Sequence, residues 1–160
     1  MVTDQHSIER RQVFRVLISV SDKENIIDFA RALDSLEIKI VSTGGTYQKI
    51  SKEGIEAIPV ERITNFPEMM GGRVKTLHPL IFGGILARDS DSKDAEKHNI
   101  DFFDMVVCNL YPFREAVSKE VDSELLFEEI DIGGPSLLRA AAKNHARVAV
   151  VSDPADYDWI

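Results

Sequence analysis

The chain has 160 residues, room for one domain of ordinary size, and 44% of them are hydrophobic, enough for one sizeable core. Its 19 Lys+Arg against 27 Asp+Glu give a net charge of −8, which argues against nucleic acid and anionic membranes as partners. No stretch approaches the ~20 apolar residues of a membrane span, residues 1–12 read as a flexible polar arm, and the lone Cys108 precludes an internal disulfide and suits a reducing, cytoplasmic setting.

Residues 13–20 (Val-Phe-Arg-Val-Leu-Ile-Ser-Val) read as a buried strand. Ser21 with Glu24 three residues later has the pattern of a capping box, so a helix is expected to start there, with Ile26, Ile27, Phe29, Ala30 and Leu33 on its apolar face. Residues 38–41 form the next strand, Thr43-Gly44-Gly45-Thr46 a turn, and residues 46–52 a helix ended by Gly54. Residues 55–60 make a third strand. This strand–helix alternation is the rhythm of a parallel sheet with helices packed on it.

Residues 61–79 carry two prolines, two glycines and no clear period. An unpatterned stretch of that length inside a compact domain is usually functional or disordered. Residues 80–86 read as a short strand, 89–98 as polar and exposed, and 105–110 as a strong buried strand broken at Tyr111-Pro112. Residues 113–121 and 123–130 have helical patterns. Pro135 suits the first turn of an Ala- and Leu-rich helix over 136–144, residues 148–151 form the last strand, and Asp153-Pro154 opens a final helix.

Within Gly71-Gly72-Arg73-Val74-Lys75-Thr76, two glycines permit close backbone approach and two cations follow within three residues. A concentrated basic loop on an acidic chain suggests a small-anion site, although a solvated turn would look the same. Four further segments hold polar residues at strand ends or glycine turns: Ser19-Val-Ser21-Asp-Lys23, Thr43-Gly-Gly-Thr46, Asn109-Leu-Tyr111, and Asp131-Ile-Gly133-Gly134 followed by Lys143-Asn-His145. Ligands of open α/β sheets lie beyond the carboxyl ends of the strands, and helix N-termini bind phosphate through free N–H groups. Each residue also has a plainer reading. The threonine turn can be an ordinary cap, Lys143 can complement a helix dipole, Asp131 can shape a turn, and Tyr111 can be core. His78 and His145 lack a third ligand at metal-like spacing, and Cys108 reads as a small buried hydrophobe.

These strings, with Phe66-Pro-Glu-Met, Gly84-Ile-Leu-Ala-Arg88 and Leu138-Arg-Ala-Ala-Ala-Lys-Asn-His145, run in order over almost the whole chain. Together they resemble the N-terminal IMP cyclohydrolase domain of the bifunctional purine-biosynthesis proteins that also carry AICAR transformylase. The resemblance implies a methylglyoxal-synthase-like (Rossmann-like) three-layer α/β fold over residues 13–160, with a central, mainly parallel sheet and the C-terminal transformylase domain absent. It implies dehydrative closure of formyl-AICAR (5-formamidoimidazole-4-carboxamide ribonucleotide) to IMP, the last step of de novo purine synthesis, with no metal or organic cofactor. It implies a homodimer and, in a full-length protein, a transformylase partner domain. Carried over residue by residue, it implies catalytic roles for Lys75, Tyr111, Asp131 and Lys143. It implies nucleotide binding by Ser19, Ser21, Lys23, Arg73, Thr76, Asn109 and Gly133, with the 5′-phosphate at Thr43, Gly44, Gly45 and Thr46. Two other readings share the fold: a methylglyoxal-synthase-type lyase acting on a three-carbon sugar phosphate, and a non-catalytic nucleotide-binding fragment or regulatory module.

Overall fold

A computed structural model describes residues 11–111, 113, 117, 126–127 and 130–160. Five parallel strands form one sheet: β1 (Arg15–Ile18), β2 (Lys39–Ser42), β3 (Ile58–Pro59), β4 (Met105–Val107) and β5 (Ala149–Val151), in the order β3-β2-β1-β4-β5. Val16 stands opposite Ile40 on one side and Met105 on the other. Alternate side chains of a strand point to opposite faces, so each strand feeds two cores. Val16, Ile18, Ile40, Met105 and Val107 pack with Ile26, Phe29 and Leu33 of α1 (Ile26–Ser35) and Ile50 of α2 (Gly44–Lys52). Leu17, Val41 and Val106 face the other way, against Ile81 and Ile85 of α4 (Pro79–Leu86) and Leu137 and Ala141 of α6 (Gly133–Lys143). Two short helices, α3 (Val60–Thr64) and α5 (Ser92–Lys97), lie in the connections between these elements.

This is a three-layer α/β fold. A two-faced sheet needs apolar cover on both sides, which is why its strands read as continuous apolar runs. Leu17 is fully buried, and shortening it to alanine would cost about 2–5 kcal/mol. A 3₁₀ segment, Pro154–Trp159, returns to α1, where Tyr157 stacks on Phe29 with ring centroids 4.5 Å apart. Asp153 caps its start by accepting from the Ala155 amide at 2.9 Å.

Three expectations need correction. The stretch read as a strand over 80–86 is the helix α4. Pro79 occupies its first turn, and His78 Nδ1 accepts from the Leu80 amide at 3.2 Å, so the run is launched as a helix. Ser21 does not cap α1. The helix starts five residues later at Ile26, Asn25 before it has φ 53°, and the Ser21 amide is held by Asn109. Helix α2 starts at Gly44, not Thr46, so the two glycines form its first turn. The helical patterns at 113–121 and 123–130 lie largely outside the described residues, as do residues 1–10.

Candidate functional site

From β1 the chain winds outward to β2 and β3, then returns to place β4 on β1's other side. The connections leaving β1 and β4 therefore diverge, and a crevice opens beyond the carboxyl ends of these strands. A cavity of about 390 Å³ occupies it, lined by residues of all five segments that the sequence singles out.

The walls are built by hydrogen bonds that leave little slack. Asn109, just after β4, accepts from the Ser21 and Asp22 amides at 2.7 and 2.9 Å and donates to the Asp22 carbonyl at 2.9 Å. This latch fixes the loop that carries Ser19, Ser21 and Lys23. Lys23 Nζ donates to the Ser21 carbonyl at 3.0 Å. The Ser19 and Thr43 hydroxyls pair at 3.0 Å, tying the ends of β1 and β2 together. Thr46, nearly buried, donates its hydroxyl to the Val20 carbonyl at 3.0 Å.

The first residues of two helices, Gly44-Gly45 of α2 and Gly133-Gly134 of α6, line the cavity. The first amides of a helix lack intrahelical partners and lie at its positive dipole end, which favours an anion there, although the Gly134 amide is taken by Asp131. Lys75 comes over the first turn of α2: its Nζ lies 3.3 Å from where a Cβ on Gly44 would stand. Lys23, whose Cε is 3.9 Å from the corresponding point on Gly45, flanks the same turn. Thr76, buried next to Lys75, brings its hydroxyl 3.3 Å from the Cβ position of Gly133 and so joins the basic loop to the start of α6. Asp131 accepts from the Gly134 amide at 2.9 Å, which holds its carboxylate at the cavity wall. Leu77, Tyr111, Phe127, Ile130 and Ile132 add an apolar rim.

Of the expected site residues, Lys143 is the exception. It is exposed in the last turn of α6, whose first residues line the cavity, so about 15 Å of helix separates it from them. Its charge complements the carbonyl end of that helix. Its neighbour Asn144 binds the Ile85 and Ala87 carbonyls at 2.7 and 2.9 Å, which anchors α6 to the end of α4. Cys108 is buried behind the cavity, and burial, with the Asp131 charge adding to it, pushes its thiol up to about 12. Sequence reasoning missed Glu68, whose carboxylate pairs with Lys75 Nζ at 3.3 Å. The signal was its spacing: Glu68 and Lys75 fall symmetrically about the turn at residues 70–73.

The MGS-like domain profile matches residues 25–136, about two-thirds of the chain. This chain belongs to the MGS-like domain family. This MGS-like domain is 57% identical over 147 residues to the bifunctional purine biosynthesis protein PurH of Streptococcus pyogenes, covering 89% of this chain and 28% of that protein. PurH of Streptococcus agalactiae is 56% identical over the same coverage. The chain thus spans under a third of the length of the curated relatives it matches. The crystal structure of ForH superposes with a TM-score of 0.79 at 37% identity, covering 91% of this chain and 74% of that one.

Proposed function

We propose that this domain is an IMP cyclohydrolase that closes formyl-AICAR to IMP with loss of water. One observation carries the reading: the glycine start of α2, Lys75 and Asp131 share one cavity, in a domain 57% identical to its match in PurH. A phosphate at Gly44-Gly45 would receive backbone N–H groups, the dipole of α2 and the Lys23 charge. The remaining length of the cavity, toward Asp131, Tyr111 and the apolar rim, would take the ribose and the imidazole. A three-carbon sugar phosphate would leave most of that wall unused.

The reacting groups occupy adjacent ring positions, so closure is intramolecular and holding them in a reactive rotamer supplies much of the acceleration. The carboxamide nitrogen attacks the formyl carbon and forms the new C–N bond. Asp131 accepts the proton that this weak nucleophile must lose. The formyl oxygen gains negative charge, which the Lys75 ammonium stabilises with the Tyr111 hydroxyl assisting. That oxygen then leaves as water, taking one hydrogen from the carboxamide nitrogen and one from the formamide nitrogen, and a ring C=N bond replaces the C–O bond.

The test is to mix the purified chain with formyl-AICAR and follow IMP by ultraviolet absorbance. Saturable turnover is expected, and Lys75→Ala should lower kcat by about 100-fold or more while raising KM less. IMP binding without turnover would indicate a binding module. Folded protein with neither turnover nor IMP binding would refute the reading.

A further inference from the structure

The loop before α4 is a miniature hairpin. Met69 and Val74 form an antiparallel bridge, with the Met69 amide donating to the Val74 carbonyl at 3.2 Å and the reverse bond at 3.4 Å. Met70, Gly71 and Gly72 have φ of 55°, 65° and 95°, a run of left-handed conformations that reverses the chain within four residues. The pair flanking that bridge is Glu68 and Lys75, set opposite each other as cross-strand neighbours are in a longer ladder.

Their side chains cross the mouth of the anion site. Lys75 Nζ lies 3.3 Å and Glu68 Oε2 3.6 Å from the Cβ position of Gly44, the first residue of α2. Glu68 Oε1 and Lys75 Cε approach the Cβ position of Gly72 at 2.8 and 2.9 Å. Only a glycine there lets the two side chains fold over the turn together. The Glu68 carboxylate thus occupies ground that suits an anion: a helix start and a lysine ammonium. Both side chains are about one-third exposed (36% and 31%), which places the pair among solvent-screened ion pairs that contribute little and are easily exchanged for another anion.

We infer that Glu68 is a built-in competitor of the substrate's anionic group, holding Lys75 over the start of α2 until a phosphate-bearing ligand displaces it. The inference rests on the proposed nucleotide site and adds to it a positioning residue that sets affinity. Glu68 weakens ligand binding in two ways, by neutralising Lys75 and by repelling phosphate. In return it keeps Lys75 oriented at the site in the absence of ligand.

The experiment is calorimetric titration of IMP, and separately of inorganic phosphate, into the wild-type chain and into the Glu68→Gln, Glu68→Ala and Glu68→Asp variants. Loss of the charge in Glu68→Gln and Glu68→Ala should tighten both ligands roughly threefold to tenfold. Glu68→Asp, which keeps the charge, should stay closer to wild type. A purely structural role for Glu68 predicts the opposite sign, because a loosened hairpin would bind more weakly. Wild-type binding with no tightening in either neutral variant overturns the role of Glu68 alone. Failure of the wild type to bind IMP overturns the nucleotide-site reading and this inference with it.

Discussion

Replacing Gly134 with alanine separates the stability of the site from its chemistry. Gly134 has ordinary helical backbone within α6, so alanine meets no strain there and brings about 1 kcal/mol of helix propensity. The added methyl would fall on the Asp131 carboxylate and 2.8 Å from Leu110 Cδ2. Asp131 must then swing away and give up its 2.9 Å bond from the Gly134 amide, a loss of about 1 kcal/mol. Leu110 must leave its rotamer, for about 0.5–1.5 kcal/mol more. The helix gain offsets part of these losses and leaves a net cost of about 0.5–1.5 kcal/mol, so the melting temperature should fall by several degrees at most. Catalysis has no such compensation, because displacing a proton acceptor by about 1 Å costs on the order of 100-fold. Thermal melts beside steady-state cyclisation kinetics would show a folded variant with kcat reduced about 100-fold. Its IMP affinity should stay within severalfold of wild type, since the glycine turn of α2 is untouched. A kcat within threefold of wild type would refute the placement of Asp131 as the proton acceptor.

Asn109→Ala removes three hydrogen bonds that latch the Ser19–Lys23 loop, so it should destabilise the fold by about 1–3 kcal/mol in urea titrations and raise KM more than it lowers kcat. Thr46→Val strands the Val20 carbonyl, and a stability loss of about 1–2 kcal/mol should accompany any rise in KM; a KM change with unaltered unfolding would place the hydroxyl on the ligand instead. Burial pushes both the Cys108 thiol and the Tyr157 hydroxyl up to about 12, from ordinary values of 9.0 and 10.0. Above pH 9 the unfolded chain therefore loses these protons while the folded chain keeps them. Urea midpoints should be unaffected by these groups below pH 9 and decline progressively toward pH 12, and Cys108→Ala should remove the earlier part of the decline.

The parallel sheet was legible because β1, β2 and β4 are apolar runs that two-sided burial requires, and a glycine or polar turn follows each. The boundary of α1 was not. Ser21 has the residue type and spacing of a cap, yet its amide is claimed by Asn109, 88 positions away, a partner no local pattern reveals. Helix α4 is ambiguous in the sequence because a short apolar run fits either a strand or a buried helix, and the signal that decides it is His78-Pro79 at its start. The polar segments that meet at the cavity could be found because strand ends and glycine turns are where such folds hold ligands. Lys143 shares a motif with them, but a rigid helix carries it away from the cavity. Glu68 stands in the sequence only as part of the Phe66-Pro-Glu-Met string, because its meaning depends on a hairpin defined by one bridge and three left-handed residues.

The most direct test of the account is a crystal structure of the complex with IMP. The phosphate should lie at Gly44-Gly45 within hydrogen-bonding reach of the first amides of α2 and near Lys23, with the closed ring between Asp131 and Lys75 and Glu68 displaced from Lys75. A phosphate seated away from α2, or a purine ring out of reach of Asp131, would contradict it.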